Sequence, residues 1–84
     1  MREEKGRMMK ITKIKLIELK EGDTFYFTDI KDIRYMLINH NADIYGTTNT
    51  VVHNYKIINL NTSQELEINS LTFPFEFVYK EEDD

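Results

Sequence analysis

The sequence predicts an all-β domain, a small barrel or compact sandwich of five to six antiparallel strands. Three observations predict it. Short β-branched and aromatic runs recur at a spacing of about 8–12 residues, as in small barrels. Polar punctuation, mostly Asn, Asp, Thr and Ser, separates the runs, with three Gly and one Pro in the chain. No segment holds an apolar helical stripe over three turns. The 84 residues suffice for one domain, and a domain of this length buries only about 60–65% of its unfolded surface.

Residues 1–8 are polar and without periodicity, and are read as a flexible basic tail. In Met9–Leu16 the apolar residues change parity, Met9 and Ile11 against Ile14 and Leu16, so a bulge near Thr12-Lys13 is expected. Ile17–Lys20 fits one helical turn. Glu21-Gly22-Asp23 is a tight turn in which Gly22 supplies a positive φ. Thr24–Thr28 is a buried strand with rings on both faces, and Asp29–Asp32 a polar turn. Ile33–Asn39 reads as a strand that forms a hairpin with it. Ile30, Ile33, Tyr35, Leu37 and Ile38 would also fit a short helix, so periodicity alone leaves residues 30–38 open.

His40–Thr50 is the longest stretch without a pattern and is expected to be a loop. Val51–Leu60 is a long strand and Asn61-Thr62-Ser63 a turn. In Gln64–Ile68, Leu66 and Ile68 alternate with Glu65 and Glu67. Pro74 precedes a last strand, Phe75–Tyr79. Residues 9–80 then make one barrel domain, and residues 81–84 a solvated acidic C-terminal tail.

The formal charge of −4 hides an asymmetry. Residues 1–20 carry seven Lys/Arg against three Glu, whereas residues 21–84 carry four bases against twelve acids. An acidic body opposes tight nucleic-acid binding, which needs cations to displace phosphate counterions. The absence of cysteine removes disulfides, thiol nucleophiles and cysteine metal sites. His40 and His53 alone lack zinc-ligand spacing, so no metal is expected. No Ser–His–acid constellation, phosphate-cradling glycine pattern or cleft-borne carboxylate pair stands out, so neither catalysis nor a cofactor is expected. The charged start without an apolar core is not a secretory signal, and no run of about 18 apolar residues occurs, so a cytoplasmic protein is expected.

Lys15–Phe27 contains Leu19-Lys20-Glu21-Gly22-Asp23-Thr24-Phe25, a Leu-x-x-Gly-Asp-x-Phe pattern. It resembles the opening of small phage-encoded SH3-like β-barrel proteins. Asn59-Leu60-Asn61-Thr62 resembles their Asn-Leu-x-Thr-Gly hairpin, with Ser63 where they carry Gly. The resemblance covers about half of the chain and is structural. It implies an SH3-like barrel and a short phage-type protein that inhibits a host protein by binding it.

The expected interaction surface is acidic. Carboxylates on alternate strand residues recur roughly 6–7 Å apart, near the phosphate spacing of one DNA strand, so they could mimic DNA on a basic host protein. The candidates are Asp29, Asp32, Glu65, Glu67 and Glu76, assisted by Glu81 and Glu82 of the tail. The alternatives are a homodimeric assembly module, joined through Tyr26, Met36 and Phe75 on strands apolar on both faces, and a weak nucleic-acid binder using the basic leading segment. No membrane contact is expected.

Overall fold

A computed structural model describes residues 9–46 and 49–83. Six strands form one antiparallel sheet: β1 (Met9–Lys15), β2 (Thr24–Tyr26), β3 (Tyr35–Tyr45), β4 (Thr50–Asn59), β5 (Gln64–Asn69) and β6 (Phe77–Asp83). A single 3-10 turn, Leu16–Glu18, follows β1. The strand order is β1-β6-β2-β3-β4-β5. The all-β class and the strand count hold. The sheet does not close into a complete barrel, because β1 and β5 remain its two edges.

The first parity problem resolves without a bulge at Thr12-Lys13. β1 pairs with β6 in unbroken register, from Met9 opposite Asp83 to Lys15 opposite Phe77. Ile14 and Leu16 turn to the core while Ile11 lies on the other face. The 3-10 turn then carries Leu19 inward beside Leu16, at 3% and 5% exposure. Gly22 has φ 94° as expected. Its N–H donates to the Leu37 carbonyl at 2.8 Å, and Asp23 accepts from the Lys20 N–H at 2.8 Å, so the turn is clamped to β3.

β2 and β3 form the expected hairpin, with Thr24 opposite Met36 and Phe25 opposite Tyr35. Residues 35–38 are strand, which settles the helix alternative against it. β3 does not end at Asn39. It runs to Tyr45, and with β4 it turns most of the expected 40–50 loop into a long hairpin. Polar residues form strands here because cross-strand partners satisfy them. The Asn54 amide donates to Asn41 at 3.3 Å and to Asp43 at 3.2 Å, and Asn41 donates to Asn39 at 3.2 Å.

The bulge of this sheet lies in β3, where the register shifts between Leu37 and Asn39. An extra residue reverses parity beyond it. Leu37 opposite Ile57 and His40 opposite Tyr55 therefore face the same side, although their numbers differ in parity. The core on that side is Leu16, Leu19, Phe25, Leu37, Tyr55, Ile57 and Val78, joined by half-buried Ile14, Phe27, Tyr35, Ile68 and Phe73.

The last strand corrects the sequence reading most. Residues 81–83 are not a solvated tail, since β6 continues to Asp83 between β1 and β2. Glu81 lies opposite Ile11, on the face away from Val78 and the core, yet its side chain is only 8% exposed. Its carboxylate accepts from Thr24 Oγ1 at 2.8 Å, Tyr26 Oη at 2.6 Å and Arg34 Nε at 2.7 Å. Burial raises its pKa, but the bonds from Tyr26, Arg34 and Thr24 outweigh burial and hold it below the usual 4.5. Tyr26 and Met36 lie on the sheet face opposite Phe25. Tyr26 and Met36 are half-buried, and Phe75 lies before β6 rather than within it.

Two stability predictions follow from these positions. Glu81→Gln should cost about 1–3 kcal/mol near neutral pH, because charge-assisted bonds are lost in a poorly solvated place. The depressed pKa makes this contribution complete above about pH 4.5, and it is lost as pH falls through the lower folded value. Urea titrations of both chains should therefore converge in acid. Ser63 holds φ 65° in the β4–β5 turn. Ser63→Gly should raise stability by about 0.5–1 kcal/mol in the same assay, since left-handed backbone strains any residue with a Cβ.

Candidate protein-binding surface

The seven carboxylates expected to form one surface separate into five environments. Glu65 and Glu67 stand on the outer face of β5, because Leu66 and Ile68 oppose the inward Ile57 and Tyr55. Glu65 reaches Lys56 at 3.8 Å. Asp29 and Asp32 are exposed in the β2–β3 connection. Glu76 is exposed just before β6, where its carbonyl accepts from the Leu16 N–H at 2.8 Å. Glu82 is half-buried, accepting from Thr12 Oγ1 at 3.3 Å and lying 3.6 Å from Lys80. Glu81 is engaged by Thr24, Tyr26 and Arg34. A single strand-borne ladder of charges is therefore not formed.

Two of these acids meet at an aromatic groove. The segment Phe73–Glu76 crosses from β5 to β6 and packs its rings on Phe27. Ring centroids are 4.9 Å apart for Phe27–Phe73 and 5.9 Å for Phe27–Phe75, the latter stacked. Phe27 in turn rests on Phe25 at 5.1 Å and Tyr35 at 4.9 Å, which ties this outlying cluster to the core. The open groove beside it holds about 450 Å³ and is lined by Phe27, Pro74, Phe75, Phe77 and Tyr79. Asp29 and Glu76 lie at its wall, together with Lys13, whose Nζ sits 5.1 Å from the Phe77 ring centroid. Phe75 and Phe77 are 45% and 40% exposed, high for phenylalanine. Among the described residues, no ion pair or side-chain hydrogen bond engages the carboxylates of Asp29 or Glu76.

On the other side of Phe73–Glu76, a second recess of about 330 Å³ reaches Ile17, His53, Tyr55 and Ser70. Its serine and histidine are already committed. Ser70 Oγ accepts from the His53 backbone N–H at 3.0 Å, which makes it a strand-end partner rather than an activated nucleophile. His40 and His53 share one ring-nitrogen contact, Nε2 to Nδ1, at 3.0 Å. His40 also stacks on Tyr55, with centroids 4.5 Å apart and planes at 16°. Burial and the neighbouring His53 lower the His40 pKa below 6.5, against a smaller opposing effect of Glu21. Among the described residues, no group of three or more His, Cys, Asp or Glu could hold a metal ion.

Sequence reading missed the groove because its rings come from three segments that share no periodicity: Phe27, Phe73–Phe75 and Phe77–Tyr79. The local signal was Phe-Pro-Phe-Glu-Phe, whose residues read as a strand start rather than a wall. It missed the histidine pair because the β3 bulge decides which face His40 joins.

The histidine contact needs one donor and one acceptor nitrogen, so it tolerates one shared proton but not two. The depressed His40 pKa places its stabilisation in full above about pH 6.5, and it falls as pH drops from there toward the lower folded value. Urea midpoints should decline as pH falls below about 6.5. His40→Phe keeps the stack on Tyr55 and should flatten that decline.

Comparison with protein-family models, with curated proteins and with solved structures finds no match to this chain.

Proposed function

We propose that this chain is a non-enzymatic binding protein whose aromatic groove takes a basic, partly apolar segment of another protein. The observation that carries this reading is the pair of unengaged carboxylates, Asp29 and Glu76, at the wall of a groove lined by exposed phenylalanine. Exposed rings anchor an interface through desolvated area, and unpaired acids beside them select cations. Proline and aromatic walls also suit an extended segment laid along the groove.

The sequence resemblance extends the proposal to a phage-type inhibitor of a basic host protein, for which occupying that protein's DNA-binding surface is one mode. Four features favour the groove over the other acids as the primary contact. Glu65 is shared with Lys56, Glu67 stands opposite Lys56, Glu81 is bonded by three donors and Glu82 is half engaged.

Capture from a bacterial lysate after nuclease treatment should recover a basic protein. The double variant Asp29→Lys, Glu76→Lys should weaken that complex roughly tenfold or more and reduce its salt dependence. Phe75→Ala should weaken it with the salt slope unchanged. Capture that is insensitive to both changes would overturn the groove assignment, and recovery that vanishes with nuclease would point to nucleic acid instead.

A further inference from the structure

The two free edges of the sheet carry opposite charge in matching geometry. β1 presents Lys13 and Lys15, both exposed. β5 presents Glu65 and Glu67, also exposed. An uncovered edge strand offers unpaired N–H and C=O groups to another chain. We propose that β5 of one copy adds to β1 of a second copy, giving a head-to-tail assembly of this chain.

Three independent features agree with this pairing. The first is direction. All five strand pairings are antiparallel and the sheet has six strands, so β1 and β5 run in opposite senses. A copy placed alongside in the same orientation therefore continues the antiparallel pattern.

The second is hydrogen-bond parity. Antiparallel partners alternate between pairs that exchange bonds and pairs that do not. Leu16 N–H donates to Glu76 O at 2.8 Å, one step beyond Lys15 opposite Phe77. The even-numbered residues of β1 therefore bond to β6, and Ile11, Lys13 and Lys15 direct their backbone groups outward, the Lys15 N–H being taken by Glu18 Oε1 at 3.2 Å so that Ile11 and Lys13 supply the free donors of this edge. Likewise Ser70 N–H donates to His53 O at 2.9 Å, one step beyond Asn69 opposite Asn54. Glu65 and Glu67 thus direct theirs outward from β5, whereas the Asn69 carbonyl is taken by the N–H groups of Thr72 and Phe73.

The third is side-chain face. Ile14 and Ile68 pack on the core, so the residues with free backbone groups on each edge carry their side chains on the outer face. Setting Glu65 opposite Lys15 and Glu67 opposite Lys13 places donors against acceptors and acids against bases in one register. Pairing β1 with β1 would instead set Lys against Lys, and β5 with β5 Glu against Glu, which opposed like charges disfavour. The contact is therefore heterologous, and such contacts propagate as rings or open chains. The loose Lys56–Glu65 pair on the same strand face leaves Glu65 able to turn toward a second cation.

Sedimentation of the full chain at low ionic strength should show mass rising with concentration and falling with added salt. The variant Lys13→Glu, Lys15→Glu has two acidic edges, and Glu65→Lys, Glu67→Lys two basic ones. Each alone should associate at least about tenfold more weakly than the parent. Their equimolar mixture should regain association, because every edge contact then again pairs acid with base. Lys13→Pro removes an outward N–H at an edge position that tolerates proline, and it should stay folded while associating more weakly. Should a charge-reversed chain fail to fold, this variant decides alone. A parent chain that remains monomeric at millimolar concentration, a mixture that does not regain association, or a folded Lys13→Pro chain that associates as the parent does would each overturn the proposal.

Discussion

The carboxylate of Glu81 is the point on which the sheet converges. β6 is last in the chain yet lies between β1 and β2, so the sheet cannot be completed until the final residues dock. Glu81 fastens that strand through bonds to Thr24 and Tyr26 on β2 and to Arg34 at the entry to β3. The link to Thr24 spans 57 residues of sequence. A domain of this size has little apolar area to spare. A poorly solvated charge with three donors is costly to leave unsatisfied, so it penalises any other placement of the last strand.

The β3 bulge is the second constraint, and it works through parity. One additional residue lets Leu37 fill the core and still turns His40 onto Tyr55. Beyond the core the β3–β4 hairpin continues as a polar ribbon, its outer face held by asparagine and aspartate side chains. Regular strand can thus extend where the sequence offers little hydrophobic reward, because each polar group finds a partner across the ladder.

Charge is distributed by element rather than smeared over the surface. Bases gather on β1, acids on β5, and two unengaged acids border the aromatic groove. Both proposed contacts rest on this separation: complementary edges for a second copy, and a groove for a partner's basic segment. The groove borrows its rigidity from the core through the stack of Phe27 on Phe25 and Tyr35, which keeps the exposed Phe75 in place before any partner arrives.

Local chemistry by itself determined much of this protein. Alternation and β-branched runs marked β4 and β5, Gly22 marked its turn, and the polar turns at 29–32 and 61–63 punctuated the strands. These features depend on neighbours within a few residues, so they are legible in one dimension. Tertiary structure decided the rest. The asparagine-rich stretch after Asn39 became strand because β4 supplied its partners, and Glu81 became engaged because β2 and Arg34 supplied its donors. Asp29 came to share a groove with Glu76 because β6 inserts beside β2. In each case the decisive partner is distant in sequence, and the energy of a polar or aromatic side chain depends on what the fold sets beside it. The feature most visible in the sequence, basic residues first and acidic residues after, gained its meaning only when the strand order placed β1 and β5 at opposite edges of one sheet.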